Sequence, residues 1–144
     1  MNDSSAPVVV EQSFDASTEL VWKAITEREH MVQWFFENIL EFRAEPGFET
    51  QFDIDTGSRV FRHLWKITEV IPKQKIVYDW RYEGFTGQGK VTFEVFEEAE
   101  GSKLRVTNEG IESFPNDIPE FTRESCEDGW TYLLQTSLKQ YLDG

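Results

Sequence analysis

The 144-residue sequence offers few groups suited to covalent or metal chemistry. Its two histidines, His30 and His63, fall in separate stretches, without the paired His or Cys spacing of a zinc site. The lone cysteine, Cys126, stands beside Glu124, Glu127 and Asp128. Their charges raise a thiol's pKa, the reverse of what an activated thiolate needs, so Cys126 reads as a small core residue on a helix. There is no Gly-x-Ser-x-Gly elbow. Gly87-Gln88-Gly89-Lys90 resembles half a phosphate loop but precedes a strand, not a helix. No metal, no cofactor and no catalytic set is expected.

What remains is a group of polar atoms set among rings. His63 alternates in phase with Phe61 and Trp65, Tyr78 with Trp80, and Asn108 with Leu104 and Val106. An imidazole, a phenol and an amide on an aromatic face have the composition of a small-molecule pocket. In such a pocket Trp34, Trp65, Trp80, Phe93, Trp130 and Leu134 would give contact area, while His63, Tyr78 and Asn108 would orient polar groups. The competing reading is a filled core in which each polar atom finds an internal partner.

These residues need a scaffold, and the last quarter of the chain supplies its axis. Over Ile118 to Leu142, Phe121, Cys126, Trp130, Leu133, Leu134, Leu138, Tyr141 and Leu142 recur at steps of three and four, one face of a helix. Arg123, Glu124, Glu127, Asp128, Gln135 and Lys139 form the opposite, hydrated stripe. Such a helix would be roughly 35 Å long. Before it, Val8 to Phe14 reads as a strand. Two short helices follow, one with Leu20, Val21, Ala24 and Ile25 on its face, the other near Arg28 to Phe36 with Met31, Trp34 and Phe35 on one side. From Ile39 to Gly110 the period is two, broken by turns at Glu45-Pro46-Gly47, Asp55 to Ser58, Pro72 to Lys75, Glu83 to Gly89 and Glu97 to Ser102. Connections this short force antiparallel pairing. The expected fold is α+β: a curved antiparallel sheet of six or seven strands wrapped around a long C-terminal helix, with two short helices after the first strand. The helix either fills the curl or leaves a pocket beneath it. Gly110 to Pro119, the longest irregular link, is a lid at the pocket mouth or a plain connector.

The totals set limits. One domain is expected over residues 1–144, with a loose tail at 1–6. Aromatic residues make up 15 %, with 12 Phe and 5 Trp, enough for a bulky core or a ring-lined pocket. A formal charge of −13 argues against nucleic acid and against anionic membrane surfaces. The polar start, Met1 to Pro7, and the absence of an apolar run of about 18 residues point to a cytoplasmic, reducing location. The expected assembly is a monomer or weak homodimer.

The stretches Phe14-Asp-Ala-Ser-Thr-Glu-Leu-Val-Trp-Lys-Ala-Ile-Thr, Trp34-Phe35, Val70-Ile-Pro, Ile76-Val-Tyr-Asp-Trp80, Thr107-Asn-Glu-Gly110 and Gly129-Trp130 with Leu133-Leu134 and Leu138 come in a specific order. In that order they resemble the START-like superfamily (helix-grip, Bet v–type, SRPBCC). Within it they resemble the family named for activators of the heat-shock protein 90 ATPase, over nearly the whole chain, Val8 to Leu142. The resemblance implies the helix-grip fold. It also implies a choice of roles, since members bind lipids, hormones or polyketides, some are cyclases or hydrolases, and the eukaryotic activators stimulate a chaperone in stress responses. Many relatives carry histidine where this sequence has Asn108, which removes an acid–base candidate here. The resulting expectation is a non-catalytic domain that binds a hydrophobic small molecule, lipid- or polyketide-like. The alternatives are a co-chaperone-like module with a chaperone as partner, and a cyclase or hydrolase with His63 as general base.

Overall fold

A computed structural model of the chain describes residues 7–57, 59–115 and 117–143. The tail expected at 1–6 lies outside them, as do Ser58 of the second expected turn and Asn116 of the link. The elements run β1 (Val8–Phe14), α1 (Thr18–Thr26), α2 (Arg28–Trp34), β2 (Glu49–Asp55), β3 (Val60–Ile71), β4 (Lys75–Tyr82), β5 (Gly89–Glu98) and β6 (Gly101–Glu109). After two short 3₁₀ turns comes α3 (Arg123–Tyr132), which continues through a π-helical stretch (Leu133–Leu138) into α4 (Lys139–Asp143).

The six strands form one antiparallel sheet in the order β1-β6-β5-β4-β3-β2. Alternation sets which side is wet. In β3, Phe61, His63, Trp65 and Ile67 are buried, while Val60, Arg62 and Lys66 face solvent. The β3–β4 register shifts between Ile67 and Glu69, an irregularity of the kind that lets a strand bend. Outer-face charges pair locally: Arg81 with Asp79 at 3.1 Å, and Arg62 with Asp53 at 2.9 Å and Glu83 at 3.0 Å. Exposed pairs of this kind add little to stability.

The β1–β6 pair ends in a tight contact at Gly101. Its φ is +145°, and a Cβ there would sit 2.0 Å from the Phe14 carbonyl oxygen. Only glycine lets the start of β6 pass the end of β1 this closely.

Ser17 caps α1, its side chain accepting from the Leu20 amide at 3.2 Å. The helix then buries Val21, Ala24 and Ile25. Trp34 Nε1 donates to the Ala24 carbonyl at 2.7 Å and ties α2 to α1. The second helix stops at Trp34, two residues short of the expected end, because Phe35 leaves helical geometry (φ −97°, ψ −90°).

The C-terminal helix begins at Arg123, five residues later than its periodicity suggests. Thr122 is the cap, accepting from the Ser125 amide at 3.2 Å and donating to the Pro119 carbonyl at 2.9 Å. Pro119–Phe121 forms a separate 3₁₀ turn. Phe121 therefore does not extend the helical stripe. It packs among Phe61, Tyr82, Phe85 and Phe114, with ring centroids 4.8 to 5.5 Å away. At the far end, Asp143 accepts from the Asp15 amide at 3.1 Å and pairs with Lys139 at 2.5 Å, fixing the helix end to the β1–α1 turn.

Candidate ligand-binding cavity

The helix and the aromatic face of the sheet do not meet directly along their whole length. Phe35 enters between them. It stacks on Trp34 at 4.8 Å, lies 5.5 Å from Trp65 and 6.0 Å from Phe93, and reaches Trp130 of α3 at 5.8 Å. Its neighbour Phe36 contacts Phe52 and His63 at 5.4 and 5.5 Å. These two rings occupy most of the expected gap.

On one side of them a half-open cavity of about 150 Å³ persists, bounded by the sheet, by α3 and by the Gly110–Thr122 link. A volume of this order holds one benzene ring. Four of the nine residues expected from sequence line it: His63, Trp80, Asn108 and Trp130. The other five, Trp34, Trp65, Tyr78, Phe93 and Leu134, are buried in the core and do not line the cavity. The reason is steric: Phe35 covers Trp34, Trp65 and Phe93, and Tyr78 lies beneath Phe42 and Trp65.

Several wall residues were absent from that sequence-derived set. Tyr82 follows Trp80 at period two and was legible in principle. Ile111, Phe114, Glu120 and Phe121 come from the link, whose path no periodicity reveals. Phe114 and Ile111 bring their part of the link to the cavity wall. Ser113 fastens it to the β4–β5 connection, accepting from the Gln88 amide at 2.9 Å and donating to the Gly110 carbonyl at 2.6 Å.

Apart from the Glu120 carboxylate, the polar groups of the cavity are neutral. His63 is 6 % exposed, and burial lowers its pKa to about 4, partly opposed by its hydrogen bond to the Phe61 carbonyl and by the Asp53 charge. A carbonyl only accepts, so the 3.2 Å contact from Nδ1 places the proton on that nitrogen and leaves Nε2 as an acceptor. Burial pushes the Cys126 thiol up to about 11, although Asn108 Nδ2 donates to its sulfur at 2.9 Å. It is a protonated thiol, not a nucleophile. Burial likewise raises the Tyr82 phenol. The indole of Trp80 opposes that rise, yet its Nε1–H, fully buried, makes no hydrogen bond of acceptable geometry among the described residues.

One carboxylate, that of Glu120, does reach the wall, which the strand phases could not show. It accepts from Thr56 Oγ1 at 2.9 Å and lies 3.7 Å from Arg59 Nε. A weakly basic imidazole, a protonated thiol and a carboxylate engaged elsewhere suit recognition better than acid–base catalysis. Away from the cavity, Glu27, Glu29 and His30 bring ligand-type atoms within 4.8 Å of one another. His30 Nδ1 there is already hydrogen-bonded to the Tyr141 hydroxyl at 2.6 Å.

Gly129 sits within α3 on the cavity wall, where a Cβ would meet no heavy atom within 4 Å. Packing does not require glycine there. Gly129→Ala is expected to stabilise the fold by about 0.5–1 kcal/mol through helix propensity, read as a higher urea midpoint. A lower midpoint would show a contact the geometry does not contain.

The description "Activator of Hsp90 ATPase homolog 1-like protein" belongs to a family whose model matches residues 15–143. The chain belongs to this family. No curated protein sequence matches it. Among solved structures, this AHSA1-family domain is similar in fold to protein CV1439 from Chromobacterium violaceum, with 20 % identity over 96 % of this chain and 98 % of that one and a TM-score of 0.79. It is also similar to DynU16, a protein of the dynemicin biosynthetic locus, with 23 % identity over 98 % of this chain and 48 % of that one and a TM-score of 0.76. The solution structure of the Aha1 dimer from Colwellia psychrerythraea shares 18 % identity over 95 % and 96 % of the two chains, with a TM-score of 0.73. At these identities the likeness establishes the helix-grip fold. No helix among the described residues of the family member is long and apolar enough to cross a membrane.

Proposed function

We propose that this domain binds a small, neutral, apolar or aromatic molecule without transforming it, in the cavity between sheet, α3 and link. The observation that carries this reading is the cavity itself: rings of Phe36, Trp80, Phe114, Phe121 and Trp130 around a few uncharged polar groups and one carboxylate, Glu120, held by Thr56 and Arg59. Burying a ring against such walls stabilises a complex by about 25 cal/mol per Å² of apolar area, less the cost of ordering the ligand. The similar fold of DynU16, a protein of the dynemicin biosynthetic locus, supports a small-molecule role for this chain. The co-chaperone alternative, an acidic exterior held by a basic chaperone surface, would leave the cavity unexplained. The cyclase or hydrolase alternative asks for a base stronger than His63 offers.

Toluene and naphthalene, titrated separately, test the proposal by tryptophan fluorescence, since Trp80 and Trp130 are both at the wall. Saturable quenching and a ligand-dependent rise in melting temperature are expected. In Gly129→Leu, which places a branched side chain on the wall, the affinity is expected to fall several-fold with the fold intact. Linear, non-saturating quenching in the wild type would remove the proposal.

A further inference from the structure

We propose that His63 and Trp80 together select a hydroxyl-bearing neutral ring, a phenol, over the same ring bearing no hydroxyl and over the same ring bearing a carboxylate. The inference rests on the cavity being a binding site and adds the chemical class of its guest.

Two side chains of the wall carry atoms that want partners of opposite kind. With Nδ1 committed to the Phe61 carbonyl at 3.2 Å, the imidazole of His63 has only Nε2 left, and Nε2 accepts. The indole of Trp80 is 7 % exposed, and its buried Nε1–H, though near the Tyr82 hydroxyl, makes no hydrogen bond of good geometry among the described residues. An indole nitrogen only donates. The two rings are 5.7 Å apart, centroid to centroid, and both line the cavity. A hydroxyl gives a proton to Nε2 and accepts one from Nε1–H. An ether or ketone accepts but does not donate, so it leaves Nε2 unpaired.

Charge completes the argument. None of the lining residues is Lys or Arg, and the one formal charge among them is negative, on Glu120. A carboxylate guest would be stripped of water with no cation to meet it, a penalty large enough to exclude it. The net charge of −13 opposes an anion at longer range too.

Three matched probes decide this: p-cresol, toluene and p-toluate, titrated into the full chain at neutral pH. Dissociation constants come from chemical-shift changes, with the Trp80 indole N–H resonance as the local reporter. p-Cresol is expected to bind about tenfold tighter than toluene and to move the Trp80 N–H resonance downfield, while p-toluate shows no saturable binding. In His63→Phe the preference for p-cresol over toluene is expected to collapse to within about threefold. Trp80→Phe should erode it in the same direction, and it serves if His63→Phe does not fold. If toluene and p-cresol bind equally, the selection is refuted while the cavity reading stands. If p-toluate binds as tightly as p-cresol, the selection is refuted as well. If none of the probes binds, both fall together.

Discussion

Phe35→Ala is expected to destabilise the fold by about 3–5 kcal/mol and, in the same protein, to let a larger guest in. Phe35 is 7 % exposed and touches rings from three sources: its own segment, the sheet and the C-terminal helix. Truncation removes the transfer free energy of a phenyl group and leaves a void the rigid neighbours cannot close. For a chain of this size the melting temperature should fall by roughly 10–17 °C. The void would adjoin Trp80 and Trp130, which already line the cavity, so the two spaces should merge. Naphthalene is therefore expected to gain affinity relative to toluene and to restore part of the lost melting temperature. A variant that loses stability but shows no change in ligand size preference would separate the plug from the cavity. A loss below about 1 kcal/mol would mean that the site collapses freely.

That one residue also explains what the sequence could and could not reveal. The scaffold was legible because strands and helices repeat. Val8 and Val10, the Phe61–Ile67 stripe and Trp130, Leu134 and Leu138 all fall at the period of the element that holds them, and all are buried. Turn residues marked the hairpins, and the short links dictated the antiparallel sheet. His63, Trp80, Asn108 and Trp130 were found for the same reason, being in phase on regular elements. Phe35 and Phe36 leave the helix at a residue of irregular geometry, so no period says where their rings go. The same holds for Ile111, Phe114 and Phe121, carried by a link whose 3₁₀ turns last only three residues each. Periodicity reveals which face a ring is on. It does not reveal whether a loop fills the space opposite, and that space decided which of the nine expected residues remain at a surface a guest can reach.

The largest pH effect is expected from His63, between pH 6.5 and 4. In the unfolded chain a histidine titrates near 6.5. In the fold, burial holds His63 at about 4. Above pH 6.5 the imidazole is neutral in both states and contributes no pH dependence. As the pH falls below 6.5 the unfolded state takes up a proton that the folded state refuses, so stability declines. The decline ends near pH 4, where both states are protonated, after a loss of roughly 3 kcal/mol. Two carboxylates and a phenol stand around this ring: Asp53 on β2 favours its protonation, the phenol of Tyr82 stands 4.8 Å away, and Glu120 shares the cavity. Carboxylates also lose stability in acid, because Asp53, Glu11 and Asp143 are held below their usual values by Arg62, by Arg105 and, for Asp143, by Lys139 against the opposing cost of burial. Their effect sets in as the carboxylates of the unfolded chain begin to protonate, below about pH 5. Between pH 7 and 5 these carboxylates therefore add little. Urea unfolding of wild type and His63→Phe isolates it: the stability difference between the two should shift by about 2 kcal/mol over that interval, in favour of the variant at the lower pH. Parallel profiles would mean that His63 is solvated enough to titrate normally. An imidazole that takes up protons freely in the fold would not hold Nε2 as a standing acceptor below neutral pH, and the recognition of a hydroxyl there would weaken as the pH dropped.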